Sequence, residues 1–139
     1  MKVMKMVSTA KLPEKAHAGD LGYDLFSLND EVIYTDETVL VGTGIAIQFP
    51  EGYGAFIKDR SSVATKQKLF TVAGVIDNGY VGEIRVALHN ASGDAARIKA
   101  GDKIAQLVLI PTVNFQVEEV NQVVSADARG TGGFGSTGA

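Results

Sequence analysis

Residues 74–89 read Gly-Val-Ile-Asp-Asn-Gly-Tyr-Val-Gly-Glu-Ile-Arg-Val-Ala-Leu-His. The second half decides the fold class. Ile84, Val86 and Leu88 alternate with Arg85, Ala87 and His89, the period-two pattern of a half-buried β-strand. The first half is an apolar strand end, Val75-Ile76, then a carboxylate, Asp77, then Asn78-Gly79 and a ring, Tyr80. Asn-Gly tolerates positive φ at both positions, so the stretch predicts a hairpin with a type I′ turn flanked by Asp77 and Tyr80. A carboxylate fixed beside a ring suits gripping a small planar ligand and activating a water next to it. A plain Asx-type turn with a packed tyrosine fits the same residues, and this stretch alone leaves both readings open.

Working outward, the same period recurs. Ile45, Ile47 and Phe49 alternate with Ala46 and Gln48, and Val113, Phe115 and Val117 alternate with Asn114, Gln116 and Glu118. Residues 104–110, broken only by Gln106, read as a more fully buried strand. Turn residues punctuate these runs at Asn29-Asp30, Gly42, Pro50-Glu51-Gly52, Ser92-Gly93-Asp94 and Gly101-Asp102. Many short strands with frequent turns predict an all-β sandwich, jelly roll or barrel. One short helix is expected over Ser62–Lys68, with Ser61 and Ser62 as N-cap residues.

At 139 residues the chain fits one domain, and folding buries roughly two thirds of the unfolded surface of such a chain. A net charge of −3 offers no overall positive field for nucleic acid or an anionic membrane, so an anionic ligand needs a local cluster of donors. Cysteine is absent, which removes thiolate metal sites and Cys nucleophiles, and two histidines argue against a multi-His metal centre. Met1–Val7 is interrupted by Lys2 and Lys5 and lacks the apolar region of a signal peptide. No apolar run approaches membrane-spanning length. The expected location is intracellular and soluble, in the cytoplasm or in a host cell if the chain is virus-encoded.

Residues 129–139 differ from the rest. Five of these eleven are glycine, so the segment buries too little surface to offset its ordering entropy and is expected to be mobile without ligand. It reads as a floppy tail, yet it also carries Arg129, Phe134, Ser136 and Thr137. Gly133–Gly138 matches G-x-G-x-x-G, but that fingerprint needs a strand before it and a helix after it, and only Ala139 follows. A dinucleotide site is rejected. Arg60-Ser61-Ser62 offers a planar fork of donors, two hydroxyls and backbone N–H groups, a cradle for phosphate or simply an exposed Arg beside a helix cap. Gln106 is polar within an apolar run and must be hydrogen-bonded, to a neighbouring strand or to a ligand. In Ala18–Leu25, glycines loosen the backbone around Asp20 and Asp24, either as turn residues or to steady water around a divalent cation.

In this order the segments AGDLGYDL, DRSSVA, GVIDNGYVGEI, GDKIAQL and RGTGGFGSTG closely resemble the five motifs of the trimeric dUTPase family, from about Ala16 to Gly138. The resemblance implies a jelly-roll-like distorted β-barrel subunit over residues 1–128 and a Gly-rich arm, 129–139, that closes the active site. It implies a homotrimer with sites shared between subunits, and hydrolysis of dUTP to dUMP and pyrophosphate with Mg²⁺. Asp77 is expected as the general base and Tyr80 as the ring against the deoxyribose. Thr71 and the backbone of Gly74, Val75 and Ile76 are expected on the uracil edge. Arg60, Ser61, Ser62 and Gln106 are expected on phosphates, and Asp24 on the metal through water. From the arm, Phe134 is expected to stack on the base, with Arg129, Gly135, Ser136 and Thr137 completing the substrate contacts.

The chain also departs from the family pattern. Asp59 stands before Arg60 where Pro or Gly is more frequent; a carboxylate facing the site would oppose phosphate, but strand alternation should point it away from Arg60. Ser62 replaces a common Gly, Asn78-Gly79 a frequent acidic pair, and Thr71 a frequent Asn. Two rival readings share the scaffold. A dCTP deaminase carries a catalytic Glu ten residues after the corresponding Asp, where this chain has Ala87. A regulatory nucleotide-binding protein would not need Asp77 or the arm.

Overall fold

The computed structural model describes residues 1–124. As the alternation predicts, Ile84, Val86 and Leu88 are fully buried along β8 (Glu83–Asn90), and burying each aliphatic side chain of this kind contributes about 1.5–3 kcal/mol. β8 is flanked by β4 (Thr38–Gln48) and β6 (Leu69–Thr71), and β1 (Lys2–Lys5) covers the other edge of β4, giving a sheet of order β1-β4-β8-β6. The second sheet has the order β2-β10-β5-β7, from β2 (Tyr23–Phe26), β10 (Lys103–Pro111), β5 (Tyr53–Lys58) and β7 (Val75–Ile76). β3 (Glu31–Ile33) pairs with β9 (Ala96–Ile98) as a separate ribbon. Ile45, Ile47, Ile84, Val86 and Leu88 from one sheet and Leu25, Ile57, Ala105 and Leu107 from the other share one core. The chain is all-β, but the barrel is open: among the described residues no pairing joins the two large sheets. Among the described residues, no helix is long and apolar enough to cross a membrane.

Several local expectations are corrected. Val113, Phe115 and Val117 alternate as a strand should, yet no strand forms there. β10 ends at Pro111, and among the described residues none forms a strand facing residues 112–124, leaving Phe115 81% and Val117 100% exposed. Gly42 is not a turn. It lies inside β4, where the register with β8 slips between Gly42 and Ala46 and the Glu83 carboxylate accepts the Gly44 N–H at 2.9 Å. The predicted helix is a five-residue π-helical turn, Val63–Gln67. Only Val63 in it is buried, too little to hold a longer amphipathic helix, and the Ser62 side chain makes no capping bond. β1, in contrast, was not predicted, because Lys2-Val3-Met4-Lys5 has no clean alternation.

Candidate active site

The site-forming residues lie towards the two ends of β5. At its start, β7 pairs antiparallel with β5, Ile76 with Ala55 and Val75 with Phe56, which brings Asp77 abreast of Gly54. The Tyr80 N–H donates to the Asp77 carbonyl at 3.1 Å and closes a four-residue turn. This is not the predicted hairpin. β7 and β8 belong to different sheets, and neither Asn78 nor Gly79 has positive φ. Tertiary contacts override the local preference: the Asn78 amide donates to the carbonyls of Pro50 and Tyr53 at 2.8 and 2.6 Å. The Tyr80 hydroxyl donates to the Glu83 carbonyl at 2.9 Å, and its ring lies over Gly82. On this pinned turn Asp77 is exposed, and its carboxylate has no partner among the described residues.

The left-handed backbone sits just upstream, at Ala73 (φ 61°) and Gly74 (φ 94°). A Cβ on Gly74 would press against Ile57, whose N–H donates to the Gly74 carbonyl at 2.7 Å. Val75 is exposed and Ile76 half-buried beside the turn. Thr71 gives both its donors, N–H and hydroxyl, to the Asp59 carboxylate at 2.6 Å each.

Beyond the far end of β5 a polar cluster forms. The Arg60 Nε donates to Asp24 Oδ1 at 2.7 Å, and Lys103 bridges Asp24 Oδ2 at 2.9 Å to Glu14 at 3.0 Å. The hydrogen bond to Asp24, then that to Glu14, raises the Lys103 ammonium above its ordinary value. The Gln106 amide donates to the Asp59 carbonyl at 2.8 Å. A Cβ at Gly22 would collide with the Gln106 amide oxygen, so glycine there lets β2 and this side chain approach. Asp20, Gly22, Asp24, Arg60, Ser61 and Gln106 line an open cleft of about 260 Å³. Ser62 instead lines an adjoining cleft of about 160 Å³ with Lys103, so the two serines do not share one cavity. Asp59 does not line the main cleft, in keeping with strand alternation turning it away from Arg60.

The structure thus brings Asp24, Arg60, Ser61 and Gln106 together and leaves Asp77 and Tyr80 at the other end. Six residue steps, four of them within β5, separate Gly54 from Arg60, a span of up to roughly 20 Å at about 3.4 Å per residue. The expectations for Arg129, Phe134, Gly135, Ser136 and Thr137 lie outside the described residues. Lys103 and Glu14 were missed by the sequence reading. Lys103 stands inside the GDKIAQL motif, and that position was the available signal.

A dUTPase family model matches residues 8–138. The chain belongs to the dUTPase family. It is 43% identical over 140 residues to the deoxyuridine 5'-triphosphate nucleotidohydrolase of Clostridium acetobutylicum, covering 99% of this chain and 96% of that one. It is 44% identical over 139 residues to the enzyme of that name from Hydrogenobaculum sp., covering 98% and 96%. Among solved dUTPase structures, that of Staphylococcus bacteriophage 80alpha with dUpNHpp superposes with a TM-score of 0.93 at 30% identity, over 99% of this chain and 98% of that one. A mutant dUTPase of phage phi11 of S. aureus, described with a structural Mg(II) ion, gives a TM-score of 0.83 at 28% identity, over 89% and 98%.

Proposed function

We propose that this dUTPase-family chain is a dUTP diphosphatase in which Asp77 is the general base. One observation carries that assignment: the turn fixed by Asn78 and Tyr80, directly after the Val75–Ile76 strand, holds a single carboxylate, Asp77, exposed and without a partner among the described residues. It takes a proton from the water that attacks the α-phosphorus. A new P–O bond forms to that water, the bond to the bridging oxygen breaks, and pyrophosphate leaves with the electron pair. Proton transfer of this kind contributes about 10²–10⁴-fold in rate. The reaction lowers dUTP and supplies dUMP for thymidylate synthesis. Tyr80 packs against the deoxyribose. The backbone of Gly74, Val75 and Ile76 reads the uracil edge, and cytosine is rejected because its donor would face a donor and leave buried groups unpaired.

Arg60, Ser61 and Gln106 hold phosphates. The Arg60 Nε is tied to Asp24, which aims the remaining guanidinium donors. No cluster of three potential metal ligands exists among the described residues, so Mg²⁺ fits as an ion carried by the triphosphate with its own waters. When bound, it would supply charge neutralisation, and Asp24 on the cleft wall would steady its waters. The 129–139 segment is the cover, with Phe134 on the base and Arg129, Gly135, Ser136 and Thr137 on the rest of the substrate.

We further propose that the jelly-roll-like subunit works as a homotrimer. The roughly 20 Å between the Asp77 turn and Arg60 favours one copy presenting the base and another the phosphate ligands. Exposed Val113, Phe115 and Val117, and an apolar groove of about 270 Å³ beside the edge strand β1, offer surface for a neighbouring copy. The test is pyrophosphate release with Mg²⁺ and dUTP, dCTP, dTTP or UTP. Release from dUTP alone is expected. Ammonia from dCTP would favour the deaminase reading, which Ala87 disfavours because no carboxylate stands at that position of β8.

A further inference from the structure

Asp59 stands before Arg60 where a carboxylate is unexpected, and its side chain turns away from the cleft to a partner of its own. It follows the last residue of β5 and precedes Arg60. Its carboxylate points across to the other sheet. Oδ1 accepts both the N–H and the hydroxyl of Thr71, each at 2.6 Å, and charge-assisted bonds of this kind are the strong ones. Its backbone carbonyl accepts the Gln106 amide at 2.8 Å. One residue therefore touches three segments: Arg60 by covalent linkage, Gln106 by its carbonyl, and the end of β6 by its side chain.

The Thr71 end matters because the chain reverses just beyond it. Val72 donates to the Ala87 carbonyl at 3.0 Å, the chain then turns through left-handed Ala73 and Gly74, and Gly74 accepts from Ile57 at 2.7 Å. Left-handed φ at a non-glycine residue persists only where the surroundings over-determine it. The surroundings here are two ties from the end of β5, Asp59 on Thr71 and Ile57 on Gly74, with Ala73 between them.

We infer that Asp59 is a positioning residue. It fixes the left-handed 72–74 loop, and through it the base-reading backbone of Gly74–Ile76, relative to Arg60 and Gln106, so that each copy presents its base-reading edge to one shared site and its phosphate ligands to another at a set spacing. The inference rests on the base-reading role proposed above. A positioning role of this kind acts on substrate binding and on base choice more than on the chemical step, because Asp77 stands on a turn held separately by Asn78 and Tyr80.

The experiment is steady-state kinetics on Asp59→Ala, Asp59→Asn and Thr71→Val. In Asp59→Ala the KM for dUTP rises about tenfold and the preference for dUTP over dCTP falls by a similar factor, while kcat stays within about threefold. In Asp59→Asn an amide oxygen still accepts from Thr71, and KM rises less. Thr71→Val loses the hydroxyl but keeps the N–H. It raises KM about threefold alone and adds nothing in the Asp59→Ala background, because the partner is already gone. Unmoved KM and base preference in an active, folded Asp59→Ala chain would overturn the inference alone. So would full additivity with Thr71→Val. If Asp59→Ala does not fold, wild-type KM and base preference in both Asp59→Asn and Thr71→Val overturn it. A wild-type chain that releases no pyrophosphate from dUTP would take it down together with the reading beneath it.

Discussion

Asp24 and Asp77 are the same side chain in opposite situations. Asp24 lies in β2, abreast of Gln106 and 8% exposed, with one oxygen on Arg60 and the other on Lys103. Asp77 lies one residue past the two-residue β7, exposed, with no partner among the described residues. A carboxylate held by two cations has both oxygens occupied. A free one is open to the water beside it. The difference comes from position in the chain: the ladder delivers partners to a residue within a strand and leaves a turn residue without them.

The comparison breaks most sharply at Asp77. Asp77→Asn keeps the shape of the turn, so an unreactive dUTP analogue should bind with unchanged affinity while pyrophosphate release falls about 10²–10⁴-fold. Turnover near that of the wild type would remove the base assignment. The next test asks whether the two ends of β5 serve one site or two. Asp77→Asn and Arg60→Ala are each expected to be nearly inactive. If copies assemble as proposed, roughly a quarter of sites in co-expressed mixtures would take an intact turn from one copy and an intact Arg60 from another, recovering a comparable share of activity. Activity no higher than that of either variant alone would place both groups in one subunit's site.

The alternating runs at 45–49 and 84–88 and the buried run at 104–110 were legible because each lies between neighbours within the chain and its period reports that directly. Val113, Phe115 and Val117 carry the same signal and form no strand, since alternation reports a face to bury and not the strand that buries it. The turn at Asp77 was legible in place but not in shape. Asn78-Gly79 favours a type I′ hairpin only when the flanking strands pair with each other, and here Pro50 and Tyr53, far off in sequence, hold Asn78 instead. Grouping Arg60, Ser61 and Gln106 came from motif order. Their actual link, through Asp24, Lys103 and Asp59, needed the sheet register.

Removing Asp24 tests the other half of the comparison. Asp24→Ala leaves Arg60 without its carboxylate, while Lys103 keeps only Glu14. Arg60 is 28% exposed and water screens it, so losing its carboxylate is expected to cost about 1 kcal/mol in urea denaturation. Asp77→Asn, which breaks no contact among the described residues, should leave stability unchanged. Equal stability of the two variants would mean that the Asp24 cluster holds nothing together.

Glu83 stands between the two aspartates in exposure and gives the smallest effect. Partial burial pushes its carboxyl up, but the Gly44 N–H, Arg85 and the Thr43 N–H outweigh that and hold it below the ordinary glutamate value of 4.5. A depressed folded pKa means that the ionised form stabilises the fold above the unfolded value, and that this share is lost as pH falls through the folded one. Glu83→Gln keeps an oxygen for the Gly44 N–H and removes only the charge. The wild type should therefore be modestly more stable than the variant at neutral pH, with the gap closing as pH drops below 4.5. A gap that stays constant with pH would show that the bulge in β4 needs the shape of this side chain and not its charge, separating Glu83 from Asp24, where two cations demand the anion itself.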